Sequence, residues 1–177
     1  MSSHRRSVST ADGRKIEVLT AGNPHGYPWL WIPGSPSAAA HYPRLDDLAA
    51  RLDLRIVTWS RPGYGDSSPR AASSHGPRMI DDIPDIETIL DAEGIEEFIV
   101  VGWSGGGPRA LACAAMLPEQ CRAAATLASL APFDADGGAT RAKPSSRAPI
   151  TPCAPARWVI SVNQRAKPGK CVMSSDG

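Results

Sequence analysis

Hydrophobic and polar positions follow two different periods along the first part of the chain. Lys15–Thr20 alternates polar and apolar residues behind an Asp12–Gly13 turn, which predicts the return strand of a hairpin with one face in water. Trp29–Ile32 and Glu97–Gly102 carry short continuous apolar runs instead. Such runs are typical of strands buried on both faces, so they predict the centre of a sheet.

Apolar residues at helical spacing separate these strands. Three segments show that spacing: Pro43–Leu54, Asp81–Ala92 and the Ala-rich Gly106–Leu117. Two further apolar segments, Arg55–Trp59 and Arg122–Leu130, are predicted strands. Strands that alternate with helices need crossover connections, so the predicted fold class is α/β. We expect a mainly parallel sheet with flanking helices and an antiparallel hairpin at one edge.

The pattern ends after residue 133, and the composition changes with it. Residues 1–138 hold 12 Lys or Arg and 17 Asp or Glu, whereas residues 139–177 hold 7 basic residues and one acid. The second segment is also rich in Pro, Ser and Ala. We therefore expect one α/β core over residues 1–138 and a basic, largely disordered tail over residues 139–177.

Composition argues against several classes of function. The formal net charge of +1 argues against nucleic acid or a membrane surface as partner, since both need a concentrated basic face. No apolar run is long enough to span a bilayer, and the N-terminal residues lack the apolar stretch of a secretory signal. We expect a cytoplasmic protein that takes a small-molecule substrate and uses neither metal nor cofactor; its oligomeric state is unknown. The four cysteines lack CxxC spacing, so we expect free thiols, with Cys113 and Cys121 buried.

Gly102–Trp103–Ser104–Gly105–Gly106 matches the pattern G-x-S-x-G between a predicted strand and a predicted helix. A chain that turns this sharply strains its serine, and side chains at the flanking glycine positions would collide. The N-terminus of the following helix directs free N–H groups toward the serine oxygen. The pattern predicts a nucleophilic Ser104, although a glycine-rich turn without chemistry has the same letters. A dinucleotide-binding loop would need glycine at position 104, and a P-loop would need a following Gly-Lys-Ser/Thr.

Two further segments follow predicted strands of the same sheet. Pro33–Pro36 resembles an H-G-x-P oxyanion loop, and Arg61–Ser67 resembles a D-R-P-G-x-G-x-S stretch. Together with the G-x-S-x-G pattern, these segments resemble the α/β-hydrolase superfamily. Ser60 stands where that family usually has Asp, and Pro33 and Trp103 stand where it often has His.

The resemblance covers about residues 8–133 and implies a serine hydrolase that acts on an ester, an amide or a related acyl compound. It implies Ser104 as the nucleophile, with the backbone N–H groups of Gly105 and Ser35 as the oxyanion hole. Ser35 could equally be a plain turn residue between two prolines, with no role in an oxyanion hole.

Three other side chains lie in or near these motifs. Arg61 and Tyr64 follow a predicted strand, and Arg109 lies in the helix after Ser104. Each could line a substrate pocket. We expect Arg61 and Tyr64 to hold their own loop instead, and Arg109 to be solvated.

A catalytic histidine is missing from the position that the resemblance implies. In this fold the partners follow in the order Ser, then Asp or Glu, then His. The chain has four histidines, and all precede Ser104: His4, His25, His41 and His75. His41 and His75 could approach the site, but we expect a surface position for both. Asp134 and Asp136 lie beyond the last predicted strand, and without a histidine to orient we expect no triad role for them.

The resemblance also implies two more strands and a lid, which residues 139–177 cannot supply. We therefore expect C-terminal strands and lid to be missing, as in a truncated or frameshifted serine hydrolase that is weakly active or inactive. Two other hypotheses are open: a non-catalytic binding protein on the same fold, and an unstable fragment with an exposed apolar edge strand. The substrate is not predictable, because the lid and the late loops determine it.

Overall fold

The structure is a computed structural model that describes residues 4–72, 74, 76 and 78–129. This part of the chain contains the strands β1 (His4–Ser9), β2 (Lys15–Gly22), β3 (Tyr27–Ile32), β4 (Leu54–Trp59), β5 (Phe98–Trp103) and β6 (Cys121–Leu127). Its α-helices are α1 (Pro43–Arg51), α2 (Ile83–Glu93) and α3 (Gly107–Met116). Short 3₁₀ turns, Met79–Asp82 and Ser104–Gly106, precede α2 and α3. Every predicted strand and helix is present, with its ends shifted by a few residues.

The six strands form one sheet in the order β1-β2-β4-β3-β5-β6. The strands β4, β3, β5 and β6 run parallel, and the β1–β2 hairpin joins β4 antiparallel. This order confirms the predicted mainly parallel α/β sheet with a hairpin at one edge. Because the parallel strands share one direction, the loops after β3, β4 and β5 open at the same end of the sheet.

The apolar core lies on both faces of this sheet. One cluster, which includes Leu30 and Phe98, packs under α2 and α3. A second cluster on the other face joins Ala49 of α1 to Trp29. Strand β3 contributes to both clusters and is buried at every position of Trp29–Ile32, as its continuous apolar run predicts.

Strand β2 is buried on both faces, so the prediction that one of its faces is in water is wrong. The positions Ile16–Leu19 are all buried, and Glu17 is only 3% exposed. The loop after β4 lies against Glu17, whose carboxylate accepts hydrogen bonds from Ser60 Oγ at 2.5 Å and from the Asp66 N–H at 3.1 Å. The alternating pattern assigned Glu17 to solvent, but this loop gives it buried polar partners.

Two helix ends depend on left-handed residues. The helix α1 ends at Arg51, Asp53 has a φ of 57°, and Leu54 already begins β4. The predicted extension of this helix to Leu54 is therefore wrong. Helix α2 is followed by Gly94 with a φ of 64°, which is the left-handed glycine cap that the sequence predicts.

Both cysteines predicted to be buried are buried free thiols. Cys113 is completely buried, and Cys121 is 9% exposed. Burial raises the pKa of Cys113 to about 12 and the pKa of Cys121 to about 11. A packing role is therefore confirmed for these two thiols, which are poor nucleophiles at neutral pH.

Other predictions fall outside the described residues. These concern the basic tail over residues 139–177 and the side chains His75, Asp134 and Asp136. They stay predictions. Within the described ranges, no helix combines the length and the apolar character needed to cross a membrane.

Candidate active site

Ser104 lies at the turn between β5 and α3, at the end of the sheet where the parallel strands stop. Its φ is 50°, a left-handed conformation that residues other than glycine rarely adopt. The chain leaves β5 at Trp103, makes one 3₁₀ turn over Ser104–Gly106 and enters α3. The structure therefore contains the strand, strained turn and helix that the G-x-S-x-G pattern predicts.

Two glycines of this elbow occupy positions where a side chain would not fit. A Cβ atom on Gly102 would lie 2.3 Å from the Gly106 carbonyl oxygen. A Cβ atom on Gly106 would lie 2.2 Å from the Ile32 carbonyl oxygen at the end of β3. Both distances are far below van der Waals contact, and the obstructing atoms are backbone atoms. Glycine is thus required at both positions by close backbone packing.

The loop after β3 brings Ser35 against the elbow. A Cβ atom on Gly105 would lie 3.2 Å from the Ser35 backbone nitrogen, and one on Gly34 would lie 3.6 Å from Ser104 Oγ. In the described part of the chain, the Ser35 N–H has no acceptor. The structure therefore brings Ser35, Gly105 and Ser104 together, while the roles assigned to them stay predictions.

Arg61 contacts the loop that carries Ser35. This arginine is 5% exposed, and its Nη2 donates to the Gly34 carbonyl at 2.9 Å while its Nη1 donates to Ser35 Oγ at 2.8 Å. The guanidinium carbon lies 5.1 Å from the centre of the Tyr64 ring, within the range of a cation–π contact. Burial, together with the positive charge of Arg109, lowers the pKa of Arg61. Arg61 therefore holds the loop after β3 as well as its own loop, where the sequence predicted only the latter.

Arg109 is not a solvated helix residue, so that prediction is wrong. Its side chain is 16% exposed, and its Nε donates to Asp82 Oδ2 at 2.5 Å. Its Nη1 donates to the Gly105 carbonyl, one helical turn earlier in the chain, at 2.9 Å. The contact with Gly105 follows from the spacing of four residues. The contact with Asp82 does not, because 27 residues separate the two positions.

An open cavity of about 840 Å³ adjoins Ser35, and five arginines and four aspartates line it. Asp85 is 2% exposed and accepts hydrogen bonds from Arg14 and Arg70, each at 2.6 Å. Asp82 pairs with Arg70 and Arg109, and the two remaining aspartates also pair with arginines. In the described part of the chain, Arg61 is the cavity arginine that forms no ion pair. Sequence reasoning missed Asp82 and Asp85, since no local pattern marks a buried carboxylate.

A second buried polar cluster holds the loop after β4. Ser60 is completely buried; its Oγ donates to Glu17 and accepts a hydrogen bond from the Ala39 N–H at 2.9 Å. Glu17 also accepts a hydrogen bond from Arg5. This cluster joins β1, β2 and the loops after β3 and β4. The carboxylate at this point of the structure thus comes from Glu17, whereas Ser60 contributes a hydroxyl.

None of the described histidines forms a hydrogen bond with the elbow serine. His41 is exposed, as expected, and its Nδ1 lies 3.1 Å from Asp46 Oδ2. His4 lies in β1, and His25 lies in the turn before β3. In the described ranges, no side chain forms a hydrogen bond with Ser104 Oγ, and no three His, Cys, Asp or Glu side chains are placed to hold a metal ion.

Comparison with known proteins adds to this geometry. A family model described as alpha/beta hydrolase fold matches residues 25–150, which is well over half of the chain. The chain belongs to the alpha/beta hydrolase fold family. The match includes the loops after β3 and β4 as well as the elbow, so the segments that meet at the candidate site lie within one family match.

The most similar relatives include hydrolases of several kinds. A proline iminopeptidase from Xylella fastidiosa is 33% identical over 112 residues, which cover 62% of this chain and 34% of that protein. A solved esterase from Rhodococcus sp. is 26% identical with a TM-score of 0.59, covering 71% of this chain and 46% of that chain. A solved epoxide hydrolase from an endophytic Streptomyces is 25% identical with a TM-score of 0.64, covering 73% of this chain and 38% of that chain. The chain spans about a third of the length of the curated relatives that it matches.

Proposed function

We propose that this alpha/beta hydrolase is a serine hydrolase that acts on an ester, an amide or a related acyl compound, with Ser104 as nucleophile. The conformation of Ser104 carries the proposal: a serine with a φ of 50°, beside a loop whose Ser35 N–H has no acceptor among the described residues. Left-handed backbone at a residue other than glycine typically costs about 1–3 kcal/mol and is concentrated at functional sites. Relatives named as a proline iminopeptidase and an esterase are consistent with an acyl substrate.

The proposed reaction begins when Ser104 Oγ attacks the acyl carbon. The carbonyl oxygen of the substrate then becomes an oxyanion, to which the Ser35 and Gly105 N–H groups donate hydrogen bonds. Loss of one such donor typically costs about 3 kcal/mol of transition-state stabilisation. The proton of Ser104 passes to a base. The bond between the acyl carbon and the leaving group then breaks, the leaving group takes up a proton, and water hydrolyses the acyl-enzyme to release Ser104 and the acid.

The lack of an identified general base for Ser104 limits the activity that we propose for this chain. Residues 105–177 contain no histidine, and the described His41 pairs with Asp46 at an exposed position. A general base typically contributes about 10²- to 10⁴-fold to the rate. We therefore propose that the chain, acting in the cytoplasm on a small molecule, reacts slowly at Ser104.

Fluorophosphonate labelling tests this proposal directly. We expect the 177-residue chain to be labelled at Ser104, with the site identified by peptide mass spectrometry. Labelling should disappear in Ser104→Ala and persist in Ser7→Ala, which removes an exposed serine of β1. Added imidazole should accelerate labelling, because it can accept the serine proton.

Two outcomes would contradict the proposal in different ways. A cooperatively unfolding chain that is labelled no faster than Ser104→Ala would indicate a non-catalytic binding protein on the same fold. A broad, non-cooperative thermal transition would indicate an unstable fragment. Circular dichroism melts of the same protein samples, recorded before labelling, separate these two alternatives.

A further inference from the structure

One peptide group of the loop after β3 packs against the elbow. The Gly34 carbonyl and the Ser35 N–H belong to the same peptide bond, and a Cβ atom on Gly105 would lie 2.8 Å from Ser35 Oγ and 3.2 Å from the Ser35 nitrogen. Arg61 donates from Nη2 to the Gly34 oxygen at 2.9 Å and from Nη1 to Ser35 Oγ at 2.8 Å. One planar guanidinium thus holds the carbonyl oxygen of this peptide group and the Ser35 side chain at the same time.

A hydrogen bond to the carbonyl of a peptide group also changes its N–H. Electron density withdrawn through the oxygen leaves the N–H a stronger donor, because hydrogen bonds in a chain polarise one another. The other proposed oxyanion donor has the same arrangement, since the Ser104 carbonyl, which shares a peptide bond with the Gly105 N–H, accepts from the Gly107 N–H. The donor to Gly34 is a cation, so its polarising effect on the Ser35 N–H is the stronger of the two.

Arg61 is poorly placed for a purely stabilising role. It is 5% exposed, its Nε has no partner among the described residues, and it forms no ion pair with a described carboxylate. A buried charge without a counter-charge is costly, and so is an unsatisfied buried N–H. The other arginines of the cavity neutralise aspartates, whereas the guanidinium of Arg61 is directed at Gly34, Ser35 and the ring of Tyr64.

We infer that Arg61 is a positioning residue that orients and polarises the Gly34–Ser35 peptide group, so that the Ser35 N–H can stabilise an oxyanion formed at Ser104. This inference rests on the proposed function for its consequence in catalysis. The orientation of the peptide group is a property of the loop and can be measured without any turnover.

The test compares Arg61→Met with the unchanged chain by two independent readouts. The first is the second-order rate of fluorophosphonate labelling at Ser104, which we expect to fall roughly tenfold, less than the loss of an entire oxyanion donor. The second is the amide resonance of Ser35 in a ¹⁵N-edited NMR spectrum, which we expect to move upfield as the N–H loses polarisation. Arg61→Lys should recover part of both effects, because it keeps the charge but lacks the planar fork.

Matched variants separate positioning from general damage. Arg78→Met removes another arginine of the same cavity, one that is bonded to Asp81 and does not contact the loop, and should change neither readout. Ser35→Ala keeps the backbone N–H but loses one bond to Arg61, so its effect should be smaller than that of Arg61→Met. Amide resonances in β3 and β5 report whether the sheet itself is intact.

The outcomes for the two proposals are distinguishable. An unshifted Ser35 resonance in Arg61→Met would overturn the inference, and so would a labelling rate equal to that of Arg78→Met where the unchanged chain is labelled at Ser104. If the unchanged chain is labelled no faster than Ser104→Ala, the proposed function fails. The position of the Ser35 resonance then decides alone whether Arg61 orients the loop.

Discussion

The elbow after β5 and the loops after β3 and β4 meet at one end of the sheet, but their backbones are held in different ways. The elbow is held by contact between backbone atoms, since a Cβ atom on Gly102 or Gly106 would overlap a carbonyl oxygen at 2.3 or 2.2 Å. The loop after β4 is held by buried polar side chains, chiefly Glu17 and Ser60. The first arrangement needs small residues, and the second needs paired donors and acceptors.

This difference determines how each region responds to change. A steric constraint between backbone atoms cannot relax without moving a strand, so it tolerates no added carbon atom. A polar cluster tolerates a change of shape better, but it loses stability whenever a buried donor is left without an acceptor. Two substitutions, each with a matched control, test this comparison, and the one with the larger expected effect comes first.

The largest effect is expected for Gly106→Ala. The new methyl group would lie 2.2 Å from the Ile32 carbonyl oxygen and 2.9 Å from the Pro33 carbonyl oxygen. We expect the free energy of unfolding to fall by more than about 3 kcal/mol, because β3 or the elbow must shift. Urea unfolding followed by circular dichroism measures this loss.

Gly94→Ala is the matched control for that substitution. Gly94 has a φ of 64°, but a Cβ atom there meets nothing within 4 Å. Only the left-handed conformation opposes the methyl group, so the expected loss is about 1 kcal/mol. Gly106 has a φ of −79°, so only contact can oppose a methyl group there, and equal losses for the two variants would contradict the steric requirement at Gly106.

A smaller effect is expected for Glu17→Ala in the polar cluster. The substitution leaves Ser60 Oγ and the Asp66 N–H without their acceptor. We expect the free energy of unfolding to fall by about 2 kcal/mol, since each buried unsatisfied donor typically costs about 1–3 kcal/mol and the hydroxyl can rotate. Glu96→Ala, at an exposed loop position, should change it by less than about 0.5 kcal/mol. Equal values for the two variants would contradict a structural role for the Glu17 carboxylate.

The remaining effect is expected only at high pH and involves neither region. Unfolded thiols ionise near pH 9, whereas burial raises the pKa of Cys113 to about 12. The folded state therefore retains the proton that the unfolded state loses, and stability falls as pH rises above about 9. The slope due to this thiol is about −1.4 kcal/mol per pH unit.

Cys113→Ala isolates this contribution. Urea unfolding at pH 8.5, 9.5 and 10.5 should give a shallower decline for the variant than for the unchanged chain, whatever its absolute stability. The same slope in both proteins would mean that Cys113 ionises as readily in the folded state as in the unfolded state.

Much of the fold was predictable because its signals are local. The continuous apolar runs of β3 and β5 and the glycine that follows α2 each lie within a few residues of the structure they determine. The elbow was predictable for the same reason, since the contact between Gly102 and Gly106 involves positions only four residues apart. Local steric requirements leave a pattern that can be read in sequence order.

Two of the errors concern polar side chains whose partners lie far away in sequence. Glu17 was predicted to face water and Arg109 to be solvated, yet Glu17 bonds Ser60 43 residues later and Arg109 bonds Asp82 27 residues earlier. Nothing at either position distinguishes a buried charged residue from an exposed one. Burial of charge requires a partner, and only the folded chain determines which partner is close enough.

Neighbouring residues are enough to predict the succession of strands and helices along the chain, the strained serine turn and the family resemblance. Three other features are visible only in the folded chain: Arg61 contacts the loop carrying Ser35, aspartates and arginines pair around the cavity, and β2 is buried on both faces. Those features depend on which loops meet at the end of a parallel sheet. That meeting is determined by packing of the whole core and leaves no mark on any single segment.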